Sequence, residues 1–403
     1  MTAPLSHLRV LDLSRVLAGP WASQLLADLG AEVIKIEKPG SGDDTRGWGP
    51  PFLKDAAGND TGRAAYFLSA NRGKRSVTLD IAQPEGARLA RELARSCDVV
   101  LENFKVGGLA RYGLDYATLR AANPRLVYCS ITGFGQDGPL KDRAGYDFMI
   151  QAMGGLMSIT GTPDGEPLKV GVAIADLFTG MYAGVAVLAA LAHRDRTGEG
   201  QHIDLALLDC QVAMLANQAS NYLTGGVVPG RLGNAHPNIV PYQAFATSDG
   251  NIVLAVGNDR QFARFCELAG RAGLAADPRF ATNAGRVRHR ADLVPQVAAL
   301  LATRTTGDWM ALLEPAGVPC GPVNRLDQVF GEPQVQHRGL RVELADPETG
   351  SVPTVANPIR FSATPIRYGG SPPMLGQHTD EVLGELLGLG AAELAALRAS
   401  GVI

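Results

Sequence analysis

The sequence predicts an α/β protein in which a large domain built on a parallel sheet is joined to a smaller α/β domain. Three observations carry this. The first 135 residues alternate short β-branched runs with helix-period segments, as successive β-α-β units do. The 403-residue length exceeds what one ordinary core serves. From about 225 to 240 the texture changes, because GGVVPGRLGNAHPNI gathers Gly, Pro and Asn.

Each element follows in order. LRVLDLS (8–14) reads as a strand, PWASQLLADLG (20–30) as a helix closed by Gly30, and AEVIKIE (31–37) as the next strand. Residues 84–96 read as a helix, CDVVLEN (97–103) as a strand and RLVYCSITGFG (125–135) as another. A strand at 168–174 is expected before a long helix over 177–192, which places Asp176 near a strand's carboxyl end, where open α/β sheets bind ligands. HIDLALLD continues the pattern and leads into a helix through Ala219. NIVLAVG and the helical segments 261–272, 292–303 and 306–315 suit a small domain. The proline-rich stretch 327–365 reads as a crossing connection, and a last helix follows at 379–388. The expected domains are therefore 1–224, 225–326, and 327–403 as a linker returning to the large domain.

Composition excludes some functions. With 46% hydrophobic residues, 19% charged residues and a net charge of −3, the chain has no basic nucleic-acid footprint. Five scattered cysteines without a C-x-x-C argue against a disulfide framework or zinc knuckle, and no metal site is expected. MTAPLSHLRVLDLS has no basic segment followed by a long apolar core, so a cytoplasmic location is expected. The apolar run 177–192 falls short of the roughly 20 residues that a bilayer needs, so no membrane span is expected either.

The chemistry-bearing residues are fewer. The turn VLAGPWAS has one glycine where a dinucleotide site needs three. Lys38, Arg46, Arg72, Lys74, Arg75, Lys105 and Arg111 fall near strand ends, where a ligand with several phosphates could use them. Ordinary solvated charges are the other reading. Asp176 stands alone in the apolar run VGVAIADLFTGMYAG. As an N-cap it would accept hydrogen bonds from the first N–H groups of the next helix, and the positive helix end would keep it ionised. The same placement would suit a carboxylate nucleophile attacking an acyl carbon.

Segments in order along the chain resemble the class III CoA-transferases, the family of crotonobetainyl-CoA:carnitine and formyl-CoA transferases. They are VLDLSRVLAGPWASQLLADLGAEVIKIEKPGSGDDTRGW, NRGKRSVTLD, ENFKVGGLARYGL, GYDFMIQAMGG, VGVAIADLFTGMYA, AGVPCGPVN, EPQVQHRGL and LGQHTDEVLGELLGL. The resemblance implies a Rossmann-like large domain, an interlocked homodimer, and CoA thioesters as substrates with no permanently bound cofactor. It implies that Asp176 is the nucleophile, passing through acyl anhydrides and an aspartyl-CoA thioester. It implies CoA contacts at Val16, Ala18, Lys38, Asn71, Arg72, Lys74, Arg75, Asn103, Phe104, Lys105 and Arg111. Tyr146 matches an active-site Tyr, and Leu17 replaces the substrate-facing Gln of the formyl-CoA enzyme. That enzyme's glycine-rich loop is replaced by NAHPNIVPYQ (234–243), which counts against oxalate and formate. The chain looks most similar to the succinyl-CoA:glutarate branch, so a dicarboxylate acceptor is expected, with Arg46, His236, Asn238 and Tyr242 as candidate contacts to its distal carboxylate. Two alternatives stay open. The related α-methylacyl-CoA racemases carry a His where this chain has Tyr146, with Asp259 as a stand-in for their second acid. A non-catalytic acyl-CoA binding protein would need Asp176 only as a cap.

Overall fold

The computed structural model describes residues 2–403. Six short runs form strands β1 (Arg9–Asp12), β2 (Glu32–Glu37), β3 (Lys74–Thr78), β4 (Val99–Glu102), β5 (Val127–Thr132) and β6 (His202–Ala206); β1, β2, β4 and β5 are almost wholly buried, whereas β6 leaves His202 and Asp204 exposed. All adjacent pairs are parallel, and the spatial order is β3-β2-β1-β4-β5-β6. The strand order reverses between β1 and β4, which opens a crevice at their carboxyl ends.

Alternation along the strands separates two cores. Leu11, Ile34, Val77, Val100 and Tyr128 face helix α2 (Pro84–Arg95) and the C-terminal helices, burying Val382 and Leu383. Val10, Val33, Val99, Val127 and Cys129 face α1 (Ala18–Asp28) and the long helix 174–197, burying Ala22, Leu26, Ala183 and Val187. Between them in sequence lies the short helix α3 (Asp147–Met153), so the long helix Ile174–Thr197 is α4. By length and composition α4 could cross a membrane. Its buried residues, Ala175, Thr179, Ala183, Val187, Ala190 and Leu191, recur every three or four positions and form the stripe packed in the second core. Gly180 sets how closely α4 approaches α1. A Cβ there would lie 2.7 Å from the Ala18 carbonyl and 3.1 Å from Trp21.

The strand expected at 168–174 does not form. Leu168 and Val172 are exposed, no strand among the described residues pairs with the segment, and α4 begins at Ile174. β-Branched residues alone do not make a strand without a pleated neighbour to pack on. Two hairpins escape the sequence reading, Phe52–Lys54 with Asp60–Ala64 and Arg341–Asp346 with Gly350–Val355; the second lies inside the expected crossing connection.

The chain divides into two compact units. Among the described residues, one comprises 2–154, 171–214 and 333–403, and the other 155–170 and 215–332. The sequence places these boundaries at 224 and 327 and does not foresee the excursion of 155–170. The second unit holds a three-stranded antiparallel sheet, with Asn251–Ala255 between Tyr242–Ala246 and Cys320–Pro322. Its core gathers Phe262, Phe265, Phe280 and Trp309.

Candidate active site

At the strand-order reversal the first unit carries a groove of about 830 Å³. The segments after β1, β4 and β5 line it with Val16, Leu17, Ala18, Asn103, Phe104, Lys105, Arg111 and Tyr146, and Asp176 reaches it from α4. The fold thus gathers nine of the sequence candidates in one place. Five basic side chains, Arg15, Lys105, Arg111, Lys141 and Arg143, stand against two carboxylates, Asp44 and Asp176, so the groove favours an anion with several charges. Lys141 and Arg143 go unnoticed in the sequence, although they directly precede Tyr146. Gly133 and Gly145 hold their loop. A Cβ at Gly145 would fall 2.2 Å from the Gly133 Cα.

Asp176 is not the helix cap. Ala173 holds the N-cap position without a side-chain bond, and Asp176 is the third residue of α4. The capping carboxylate comes from Asp147 at the start of α3. Its Oδ1 accepts the N–H of Ala175 at 2.8 Å and that of Asp176 at 3.4 Å, while Oδ2 accepts from Gln151 Nε2 at 2.7 Å. No donor among the described residues reaches the Asp176 carboxylate. Burial, and then the charge of Asp147, push it up from 3.8 to about 7. The expectation that the helix end keeps Asp176 ionised is therefore corrected, because desolvation outweighs the dipole once another carboxylate has taken the end N–H groups. Burial and then the charge of Asp176 also raise the Tyr66 hydroxyl, which stands in the same field.

Several predicted ligand contacts are engaged elsewhere. Arg46 grips Glu37 with two bonds of 2.8 and 2.7 Å and stacks 3.7 Å from the Phe67 ring, so its fork is closed to an acceptor carboxylate. Asn71 donates to the Phe67 carbonyl and accepts from Lys74 Nζ, both inside the protein. Arg72 binds both oxygens of Asp28. Lys74 is enclosed with Asp12, and burial pulls its ammonium down to about 8. Arg75 bridges Glu32, Glu381 and Glu385. These side chains fasten the sheet edge and do not line the groove. Lys38 lies in a neighbouring hollow of about 450 Å³ that shares Arg15, Asp44 and Phe104 with the groove.

His236, Asn238 and Tyr242 belong to the second unit and form a cluster of their own. His236 Nδ1 accepts from the Asn238 N–H at 3.0 Å, and its ring lies 5.3 Å from that of Tyr242. The Asn238 amide pairs with Asn221. Asp259 pairs with the buried Arg286.

Comparison with known proteins gives a consistent picture. The model of the family described as CoA-transferase family III matches residues 5–379. The chain is 55% identical over 383 residues to the succinate–glutarate CoA-transferase of Agrobacterium fabrum, covering 95% of this chain and 96% of that protein. It is 46% identical over 400 residues to the mouse succinyl-CoA:glutarate CoA-transferase, covering 99% and 90%. Among solved structures it is similar to a CAIB/BAIF family protein from Brucella suis, with a TM-score of 0.84 at 51% identity, covering 96% of this chain and 100% of that one.

Proposed function

The chain belongs to CoA-transferase family III, and from that premise we propose that it moves CoA from succinyl-CoA to a dicarboxylic acid such as glutarate, with Asp176 as nucleophile. It is a CoA-transferase, with CoA thioesters as substrates. The observation that carries the assignment of Asp176 is its state: a desolvated carboxylate without hydrogen-bond donors, in a groove rich in cations.

The steps balance as follows. An Asp176 oxygen bonds to the succinyl carbonyl carbon as the C–S bond breaks, giving a mixed anhydride and CoA thiolate. The thiolate attacks the aspartyl carbonyl carbon, and the C–O bond to succinate breaks, releasing succinate and leaving an aspartyl-CoA thioester. A glutarate oxygen attacks that thioester carbonyl, expelling thiolate and forming a second anhydride. The thiolate then attacks the glutaryl carbon, and the Asp176 carboxylate leaves as product forms. No proton is consumed, and water must stay away from both anhydrides. Arg15, Lys105, Arg111, Lys141 and Arg143 would hold the CoA phosphates. Val16 to Ala18 line the groove at the start of α1, which has no side-chain cap, and their backbone would meet the reacting thioester.

Incubation with succinyl-CoA, trapping with hydroxylamine or borohydride, and mass spectrometry test this. Modification at Asp176 supports it, whereas CoA transfer by Asp176→Ala refutes it. An acceptor screen against fixed succinyl-CoA tests the acid. What supports a homodimer is the set of exposed apolar side chains Phe148, Met181, Tyr182, Val185 and Val212 on a single chain, and sedimentation measures it. Five free thiols, four of them buried, fit a reducing compartment such as the cytoplasm.

A further inference from the structure

Val16 has a φ of +71°, a left-handed conformation that a β-branched residue rarely adopts. It sits between β1 and α1, in the turn whose residues line the groove with Asp176. Such a conformation persists only where the surroundings impose it. Here the surroundings are a set of buried charges beneath the turn, which the proposed chemistry does not use.

Each backbone group from the Ser14 N–H to the Val16 N–H has a partner. Ser14 N–H donates to Asp12 Oδ1 at 2.9 Å, and the Ser14 carbonyl accepts from Lys35 Nζ at 2.8 Å. Asn103 accepts from the Arg15 N–H at 2.9 Å and donates to the Arg15 carbonyl at 2.7 Å. The Val16 N–H donates to both Asp43 oxygens, at 3.2 Å each. Asp43 is itself fixed by Lys35 Nζ at 2.9 Å, by the Thr45 N–H at 3.0 Å and by the Thr45 hydroxyl at 2.8 Å. Lys35 and Thr45 are fully buried, and Asp43 is 1% exposed. One carboxylate thus takes the N–H of a strained residue on one side and a buried ammonium on the other, and that ammonium holds the carbonyl two residues earlier.

We propose that Asp43, fixed by Lys35, is a positioning residue: it holds Val16 left-handed so that the backbone from Val16 to Ala18 meets the thioester opposite Asp176. The proposal deepens the transferase reading and rests on it. Asp43 does not line the groove and its ion pair is with Lys35 rather than with any of the five groove cations, so its loss misaligns the acyl group while CoA still binds. Misplacement of this kind lowers turnover by about 10- to 100-fold.

The test uses Asp43→Asn, which keeps the shape but turns one acceptor face into a donor, and the charge-free pair Lys35→Met with Asp43→Leu, which avoids a stranded buried ammonium. Each is combined with Val16→Gly, because glycine adopts the left-handed conformation without a clamp. The expected result is a kcat reduced about 10- to 100-fold with KM for succinyl-CoA within about threefold, and recovery of at least tenfold on adding Val16→Gly. A purely structural ion pair would lower the folded fraction, and Val16→Gly would not restore it. Failure of Val16→Gly to raise kcat in both backgrounds, or a kcat loss equal to the loss of folded protein, overturns the proposal. If the wild-type chain transfers no CoA, the functional reading fails by itself. The clamp is then judged by amide exchange in residues 14–18, which must accelerate in Asp43→Asn while β4 stays protected; unchanged exchange overturns it.

Discussion

Replacing Asp176 with Asn keeps the volume and removes a carboxyl that the folded protein does not favour ionising. Burial and the charge of Asp147 lift that carboxyl from 3.8 to about 7. The folded-state pKa lies above the unfolded-state value, so unfolding releases a proton between about pH 4 and pH 7, and wild-type stability falls as pH rises through that window. Below it both states hold the proton and the penalty is absent; above it the penalty is constant. A displacement of about three pH units at 1.36 kcal/mol each sets a ceiling of about 4 kcal/mol. The groove is open to water, which lessens the penalty, so the expected value is about 1–3 kcal/mol. Asp176→Asn carries no such penalty, and because roughly 40% of the penalty is already present at pH 5, its advantage over wild type should grow by about 0.6–2 kcal/mol between pH 5 and pH 8. Urea unfolding of both proteins at the two pH values, at constant ionic strength and followed by tryptophan fluorescence, measures the difference from the midpoints. An advantage that is equal at both pH values, or larger at pH 5, would refute the argument that Asp176 is a desolvated carboxylate.

Three further outcomes are expected. Under the proposed mechanism transfer needs the ionised form of Asp176, so kcat/KM should rise about tenfold per pH unit below about 7 and then level off. Asp147→Asn keeps an oxygen for the α4 N–H groups but removes its charge, so the midpoint should move to lower pH by about half a unit to one unit in a pH–rate profile. Lys141→Ala and Arg143→Ala should each raise KM for acyl-CoA about 3- to 10-fold with kcat nearly unchanged, and the effect should shrink at high salt. Arg72→Ala strands the buried Asp28 and should cost about 3–5 kcal/mol of stability in denaturant unfolding without a selective change in KM.

What the sequence reveals depends on how local the cause is. The runs that became β1, α1 and β2 are buried on both faces or along one stripe, so their periodicity is local and can be read directly. Strand β3 escapes because it opens with Lys74 and Arg75, which look like a ligand-binding cluster. Their partners, Asp12, Glu32, Glu381 and Glu385, lie tens to hundreds of positions away, and only the fold shows that they are engaged. The second missed hairpin did carry a turn signal, Asp346-Pro-Glu-Thr-Gly350, which the surrounding prolines obscured. Asp176 was conspicuous as a lone carboxylate in an apolar run. Its setting was not, because the residue that caps its helix, Asp147, stands 29 positions earlier.

That division of labour between the two aspartates bears on reactivity. A carboxylate that capped α4 itself would accept N–H bonds, become less basic and attack a carbonyl carbon more slowly. With Asp147 taking the N–H groups of Ala175 and Asp176, the helix end is satisfied by a carboxylate other than the proposed nucleophile. Asp176 is then left with neither donors nor full hydration. The arrangement destabilises the folded protein at neutral pH, and the same desolvation is what a carboxylate needs to become a competent nucleophile. Strain of this kind is expected where function has shaped the fold, and it connects the unfolding experiment on Asp176→Asn to the pH–rate profile: both should turn on one titration near pH 7.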